Sequence, residues 1–442
     1  MRYRVYITPL AGAATYGDRF EITDFILKGG LSKIRQAIDT SDYAIGDFVF
    51  DSIQLKLHNP NGLFSLNSDR TIFGAGRDRA LVTVELEVRN LATVVFNGIV
   101  DELGTSEDAR KFRINMAVLS TDAIMRKHLI PFDQIRDGVT FRNAMFTILN
   151  TPPINSLLNI SLDRIIPQFD DIIDNGTWFT GQSAKTSMDL LLIASGSIMF
   201  VDHRLNVHIQ ARNHQRDEKR IFYGSAHPLR RTPIILGIKK INSGAQRVFN
   251  SITVNGVRIF DQGSIDTYGL QERDELELPF ITDRQTAFAI AQVMLHEFRY
   301  AREEIEIEVL SADVQDILLT DIVRVVHPKT VLNRYPKKFF DLYGQARYGE
   351  ATYPQESGHA IPGPISWIVY EKRDNPQQFK ATLKLRQYGA SPGEEIIASS
   401  VYALAVYNRS QYGVDPMIPN ILEARLPYGL GKYGTAQYQE EA

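Results

Sequence analysis

The sequence predicts a mainly β protein with an α+β portion near its middle, and three observations carry that expectation. Short alternating or apolar runs recur along the chain, bounded by Gly, Pro, Asn or Asp. Asn255-Gly256 stands between Val248–Val254 and Val257–Phe260. That dipeptide suits a two-residue hairpin turn because both of its residues tolerate positive φ. Helical spacing, by contrast, is confined to a few segments, chiefly 140–149, 183–194 and 283–300.

In order along the chain, Arg2–Ile7 and Phe48–Leu57 read as strands, the end of the second alternating cleanly. His58-Asn59-Pro60-Asn61-Gly62 is dense in turn formers, so the chain reverses there. Leu81–Val88 and Ala92–Val100 follow as a strand pair about Arg89-Asn90-Leu91, and Lys111–Val118 as another strand. Ser120–Lys127 reads as a short helix capped by Thr121 or Asp122. Strands at this spacing predict a sandwich or barrel over residues 1–130.

Residues 131–229 read as an α+β unit. Thr140–Leu149 is helix-like and stops at Pro152-Pro153. A second helix, capped by Ser183 or Thr186, runs through Met188–Ala194 to Ser195-Gly196. Ile198–Val201 and Leu205–Ile209 then pair across Asp202-His203-Arg204. From about 230 the β character returns. Asp283 opens a helix to Tyr300 with Ala287, Ile290, Ala291, Met294, Leu295 and Phe298 on one face. Glu303–Val309 is a two-period strand, apolar on one side and acidic on the other, and strands follow at Asp321–Val326, Ile365–Tyr370 and Gln378–Leu385. The proline-rich stretch 328–364 reads as an exposed excursion, and residues 391–442 as an extended tail with too few apolar side chains to fold alone.

At 442 residues the chain has room for about three domains. It has no cysteine, which excludes disulfides, thiolate metal sites and cysteine nucleophiles. The formal net charge is −3 and no long Lys/Arg run occurs, so tight nucleic-acid binding is not expected. Met1-Arg2-Tyr3-Arg4 leads straight into a strand, without a signal-peptide core. The apolar run Met188–Val201 is broken by Asp189, Ser195, Gly196 and Ser197, and is shorter than the ~20 residues that span a bilayer, so no membrane insertion is expected.

The search for catalytic chemistry yields no catalytic, cofactor or metal residue. His296-Glu297 lacks the second histidine of a zinc-protease helix, since position 300 is Tyr300. His203, His208 and His214 match no zinc spacing, even with Asp202 beside them. Gly74-Ala75-Gly76 lacks the rest of a phosphate loop, and Ser195 in Ala194-Ser195-Gly196 is a helix end rather than a nucleophile elbow. The acidic pairs Asp101-Glu102, Asp170-Asp171, Asp274-Glu275 and Glu303-Glu304 are expected in polar, solvated settings that would not raise a carboxyl for acid catalysis.

Tyrosines recur five apart: Tyr343, Tyr348 and Tyr353; Tyr402, Tyr407 and Tyr412; Tyr428, Tyr433 and Tyr438. Glycine follows several of them, and the spacing fits neither a helix nor a strand face. Two readings stand side by side: an extended chain presenting amphipathic rings to a partner, or a half-ordered, low-complexity tail.

Three local patterns give the chain a family likeness. The first is Leu55–Ser65 with its Asn61-Gly62-Leu63-Phe64-Ser65 turn, followed by Arg77–Val84 and by Val95-Phe96-Asn97-Gly98-Ile99-Val100-Asp101. The second is the α+β unit ending Ile198–Asp202; the third is Arg247–Gly256, the 283–300 helix and Leu318–Val325. In this order they resemble the central hub proteins of tailed-bacteriophage baseplates and tail tips, over about residues 1–390. The resemblance implies two tail-tube-like β-barrel domains, at 1–130 and 230–390, around the intervening α+β domain. It further implies a homotrimeric, pseudo-sixfold ring meeting a tail tube or distal tail protein on one side and a central spike on the other. A tape-measure protein would be a further partner, with DNA only in transit, in a virion component assembled in the host cytoplasm. The excursion at 328–364 and the Tyr/Gly tail depart from the simplest family pattern. The alternatives are a tail-borne cell-wall hydrolase using a carboxylate pair, and a host-surface or glycan-binding tail module using the Tyr-rich excursion as an aromatic platform.

Overall fold

The computed structural model describes residues 1–10, 16–38, 51–66, 68–73, 78–126, 128–211, 218–224, 233–242, 248–326 and 366–388. The protein is mainly β. Its first part contains β1 (Arg2–Thr8), β2 (Phe20–Glu21), β3 (Ile26–Leu31), β4 (Ile34–Ala37), β5 (Ser52–His58), β6 (Leu81–Val88), β7 (Leu91–Asp108) and β8 (Arg113–Ser120). Seven of these form one sheet in the order β2-β1-β6-β7-β8-β5-β3. The two edge strands, β2 and β3, are joined by a single turn at Thr23–Phe25. The sheet therefore curls nearly shut, leaving little open edge. Alternation supplies its core: Val5 and Ile7, Ile53, Leu55 and Leu57, Val82, Val84 and Leu86, and Ile114, Met116 and Val118 all point inward and are buried.

Arg89 and Asn90 both have positive φ, 50° and 67°, as a two-residue hairpin turn requires. Leu91, expected in that turn, already belongs to β7, which runs on to Asp108 rather than stopping at Val100. The short helix after β8 takes the tighter 3-10 form over Thr121–Arg126.

The central part comprises α1 (Phe141–Leu149), α2 (Ile154–Leu157), β9 (Ile165–Ile166), α3 (Ala184–Ala194), β10 (Ser197–Val201) and β11 (Val207–Ala211). Thr140 caps α1 by accepting from the Asn143 N–H, and Ser183 rather than Thr186 caps α3. The double proline ends α1, but one helical turn, α2, resumes directly after it. Gly196 follows α3 at φ 63°, and a Cβ there would lie 2.4 Å from Val293 Cγ1, so the position needs glycine for both reasons. Leu205 is a turn residue with φ 64°, not the start of a strand. The Asp202 carboxylate accepts from the Arg204 and Asn206 N–H groups and widens the loop.

The remaining elements are β12 (Glu218–Gly224), β13 (Ile234–Ile235), β14 (Gly237–Asn242), β15 (Ser251–Val254), β16 (Val257–Phe260), α4 (Gln262–Tyr268), α5 (Arg284–Phe298), β17 (Glu304–Leu310), β18 (Ile322–Val326), β19 (Ser366–Asn375) and β20 (Lys380–Tyr388). The Asn255-Gly256 hairpin forms as expected, with φ 44° and 76°. It stays a separate two-stranded sheet, however. Ile252, Val254 and Ile259 share a core with α5 and with Met145, Ile148, Met188 and Leu191 of α1 and α3. The segment 248–298, read from sequence as part of the second tube-like unit, thus packs on the central helices.

A second large sheet has the path β13-β12-β18-β19-β20-β17-β14. Its edge strands β13 and β14 are separated in the chain by Leu236 alone, so it too curls nearly shut. Trp367 lies at its centre, packed among Ile305, Ile307, Val309, Val323, Leu383 and Leu385. Strand for strand, this path repeats the first. In chain order β12, β13, β14, β17, β18, β19 and β20 take the places of β1, β2, β3, β5, β6, β7 and β8. Only the leading strand differs in direction. β1 is antiparallel to β2 and β6, whereas β12 is parallel to β13 and β18.

Candidate functional site: the seam between the two sheets

β4 follows β3 in sequence but belongs to the other sheet. It pairs antiparallel with the far half of β19, from Ala37 opposite Glu371 to Ile34 opposite Asp374. The Ile38 N–H extends the ladder to Tyr370 O at 3.0 Å. Ile34 and Ala37 are buried at this join, and the charged run Glu371-Lys372-Arg373-Asp374 is largely buried with them. Burying charge is costly unless each group finds a partner, and here each does. Glu371 accepts from Arg35 Nε at 2.9 Å, from Lys384 Nζ at 2.7 Å and from Arg373. Burial alone would raise its pKa, but the bonds from Lys384, Arg35 and Arg373 outweigh it and hold the carboxyl below its ordinary value. Lys372 Nζ donates to Val314 O at 2.6 Å, and burial lowers its pKa against the pull of Asp374, Asp316 and Asp321. Asp374 accepts from Ser311, and burial raises its pKa. Tyr3 of β1 stacks on Phe379 in the β19–β20 turn, with ring centroids 5.7 Å apart.

Beside this join lies a cavity of about 30 Å³, lined among others by Asp51, Asn97, Ser120, Asp122, Phe200 and Asp202. That is room for a water or two and for no organic substrate. Asp51 accepts from the Ala37 N–H at 3.2 Å, and burial together with the nearby Asp122 pushes its pKa well above the ordinary value. Burial also pushes Asp122 up to about 6, against the opposing effects of Ser120, Lys185 and Arg126. On the opposite wall, Asn97 Nδ2 donates to His203 O at 2.8 Å, tying β7 to the β10–β11 loop. His208 stacks on Phe200 at 5.0 Å and meets Asp202 Oδ2 at 3.2 Å. Burial opposes ionisation of Asp202, yet its bonds to His208, Asn206 and Arg204 prevail and hold it well below the usual carboxylate range.

The acidic pairs expected in solvent divide. Asp274 is exposed, and Glu275 accepts from the Gly256 N–H in the hairpin turn at 2.7 Å. Asp101 and Glu102 lie on β7 where its register shifts. Asp171 and Glu304, by contrast, are buried. Asp171 accepts from Thr286 Oγ1 at 3.1 Å and so ties the central part to α5, while Asp170 accepts from the Arg142 N–H at 3.0 Å. Glu304 bonds Arg386 Nε across β17 and β20 at 3.3 Å. Each of these two is buried because a neighbouring element that the local sequence does not reveal lies over it.

Ser195 is buried and donates to Leu192 O, as a helix end does. His296 sits on α5 near Arg299, and Glu297 pairs with Arg302 at 3.2 Å. No cluster of metal-ligating side chains occurs among the described residues. No helix among them is long and apolar enough to cross a membrane. His214, Gly74-Ala75-Gly76, the excursion 328–364 and all nine candidate tyrosines (Tyr343, Tyr348, Tyr353, Tyr402, Tyr407, Tyr412, Tyr428, Tyr433 and Tyr438) lie outside the described residues. The seam residues Arg35, Asp51 and Glu371 escape sequence reading, and Asp122, expected there as a helix cap, lies instead within the 3-10 helix. The one local hint is that Glu371–Asp374 continues an apolar strand with charge.

No family model matches the chain, and no curated protein does. Among solved structures, the tail protein from Neisseria meningitidis MC58 superposes with a TM-score of 0.52 at 9% identity, over 88% of this chain and 96% of that one. The chain has a tail-protein fold. The prophage tail protein gp18 from Listeria monocytogenes EGD-e aligns over 91% of this chain and 99% of its own at 10% identity, with a TM-score of 0.48. The 43 kDa tail protein of prophage MuSo2 from Shewanella oneidensis aligns over 86% and 97% at 11% identity, with a TM-score of 0.45. Within the tail-protein fold, the seam is where the two repeated sheets of this chain are locked together.

Proposed function

We propose that this chain is a structural hub of a phage tail baseplate or tail tip, acting as a scaffold rather than an enzyme. The observation that carries the reading is the repeated seven-strand path. Two like units in each of three chains make six like positions, which lets a threefold ring present a sixfold face to a tail tube and a threefold face to a central spike. The two sheets are the tube-like units of this reading, and the central helices with the 248–298 segment buttress them. The ring surrounds the channel through which DNA passes, and a near-neutral chain suits a wall that DNA must not stick to. The nine tyrosines are proposed contacts for tail-tube, spike or tape-measure neighbours.

The mass of the purified chain by light scattering, alone and mixed with its tail-tube neighbour, tests the reading. A trimer, or a monomer that becomes one on mixing, is expected. A monomer indifferent to the neighbour overturns it. Clearing of purified cell wall on a zymogram would point instead to a hydrolase.

A further inference from the structure

The repeated path places β7 and β19 in equivalent positions, and both carry a bulge there. The register with the following strand shifts between Asp101 and Ser106 in β7, and between Val369 and Glu371 in β19. Before the bulge each strand pairs with its predecessor, β7 with β6 as far as Ile99 and β19 with β18 as far as Ile368. Beyond the bulge the two differ. The far half of β19 is covered by β4, a strand contributed by the other sheet unit. The far half of β7, Ser106–Asp108, pairs with β8 on one side, and on its other side no described strand meets it. Leu103 in the bulge is 89% exposed and Phe112, just past the strand, is 55% exposed.

An uncovered strand edge flanked by exposed apolar side chains is a template for another strand. We propose that the Ser106–Asp108 edge docks a second copy of this chain, whose second sheet unit covers it by strand addition. This repeats between chains the contact that β4 makes with β19 inside one. The inference rests on the ring reading above. In such a ring every joint is alike, alternately within and between chains, and the last joint closes on the first without leaving an edge. The side chains differ between the two places. β19 presents Glu371 to Arg35 of the covering strand, whereas on β7 Glu107 accepts from Asn59 and Ser65 and Asp108 from the Lys111 N–H, so the backbone edge carries the docking.

The absence of cysteine makes the test clean. In the full chain, S106C is labelled with a bulky maleimide and compared with its unlabelled form by light scattering. Hydrogen exchange is measured on the unlabelled trimer and monomer. Unlabelled S106C should match the parent in mass and near-UV circular dichroism, whereas the labelled form should stay monomeric. Amides of 106–108 should exchange at least about tenfold more slowly in the trimer than in the monomer, while those of 371–374 are protected in both. A trimer that forms from the labelled chain, with exchange at 106–108 unchanged, overturns this edge and leaves the ring standing. A chain that never associates, even with its tail-tube neighbour, overturns both.

Discussion

Arg35 and Glu371, 336 residues apart in the chain, are joined at 2.9 Å across the seam between the two sheets. Glu371 is buried and receives two further cations, Lys384 and Arg373. Arg35 keeps 38% of its side chain exposed. The pair is therefore asymmetric, and so is the expected cost of breaking it.

Glu371→Ala leaves three cations facing one another around a buried space and should cost about 3 kcal/mol. Arg35→Ala leaves Glu371 with two cations and removes a partly solvated partner, so about 1 kcal/mol or less is expected. Urea unfolding of the two variants beside the parent checks this. Equal costs would mean that the seam does not depend on the buried carboxylate.

Asp122 and His296 should shape stability against pH in opposite senses. The Asp122 carboxyl, ordinarily at 3.8, is pushed up to about 6 by burial, so the folded state holds its proton more tightly than the unfolded chain does. Its contribution is present at low pH and is lost as pH rises from about 4 to about 6. Asp122→Asn should remove that loss and be more stable than the parent at neutral pH, by at most about 3 kcal/mol. A difference between variant and parent that does not grow over this window would refute the burial argument.

Burial, reinforced by Arg299 and opposed by Glu297, lowers His296 from 6.5 to about 4. Here the unfolded chain binds the proton more readily, so stability is present above about 6.5 and is lost as pH falls toward about 4. His296→Gln should narrow the gap between neutral and acid stability. Thermal melts at pH 4.5, 5.5 and 7 read both variants. The slopes relative to the parent should have opposite signs.

Gly196 and Gly181 separate strain from crowding. Both have positive φ, 63° and 75°. A Cβ on Gly181 meets nothing within 4 Å, while one on Gly196 meets Val293 Cγ1 at 2.4 Å. Gly181→Ala should cost about 1 kcal/mol of backbone strain. Gly196→Ala should cost clearly more, about 2–4 kcal/mol, because α3 and α5 must also move apart. Similar midpoints for the two variants would mean that the α3–α5 contact is not tight.

The sequence by itself determined the local structure. Alternation in Ser52–His58 and Leu81–Val88 set which side chains face inward, because side-chain direction in a strand has a period of two. Thr140, Ser183 and Asp283 set where helices begin, and Asn255-Gly256 where a hairpin turns, because caps and turns need only neighbouring atoms. Tertiary structure alone decided the rest. Nothing local says that the 248–260 hairpin leaves the second sheet for the central helices, or that β4 crosses to β19. β4 and β19 pair across more than three hundred residues of chain, and the pattern of one strand does not name its neighbour. The same holds for the charges. Glu371, Asp171 and Glu304 look like solvated carboxylates in a linear chain, and they became buried partners only when another strand or helix was laid over them.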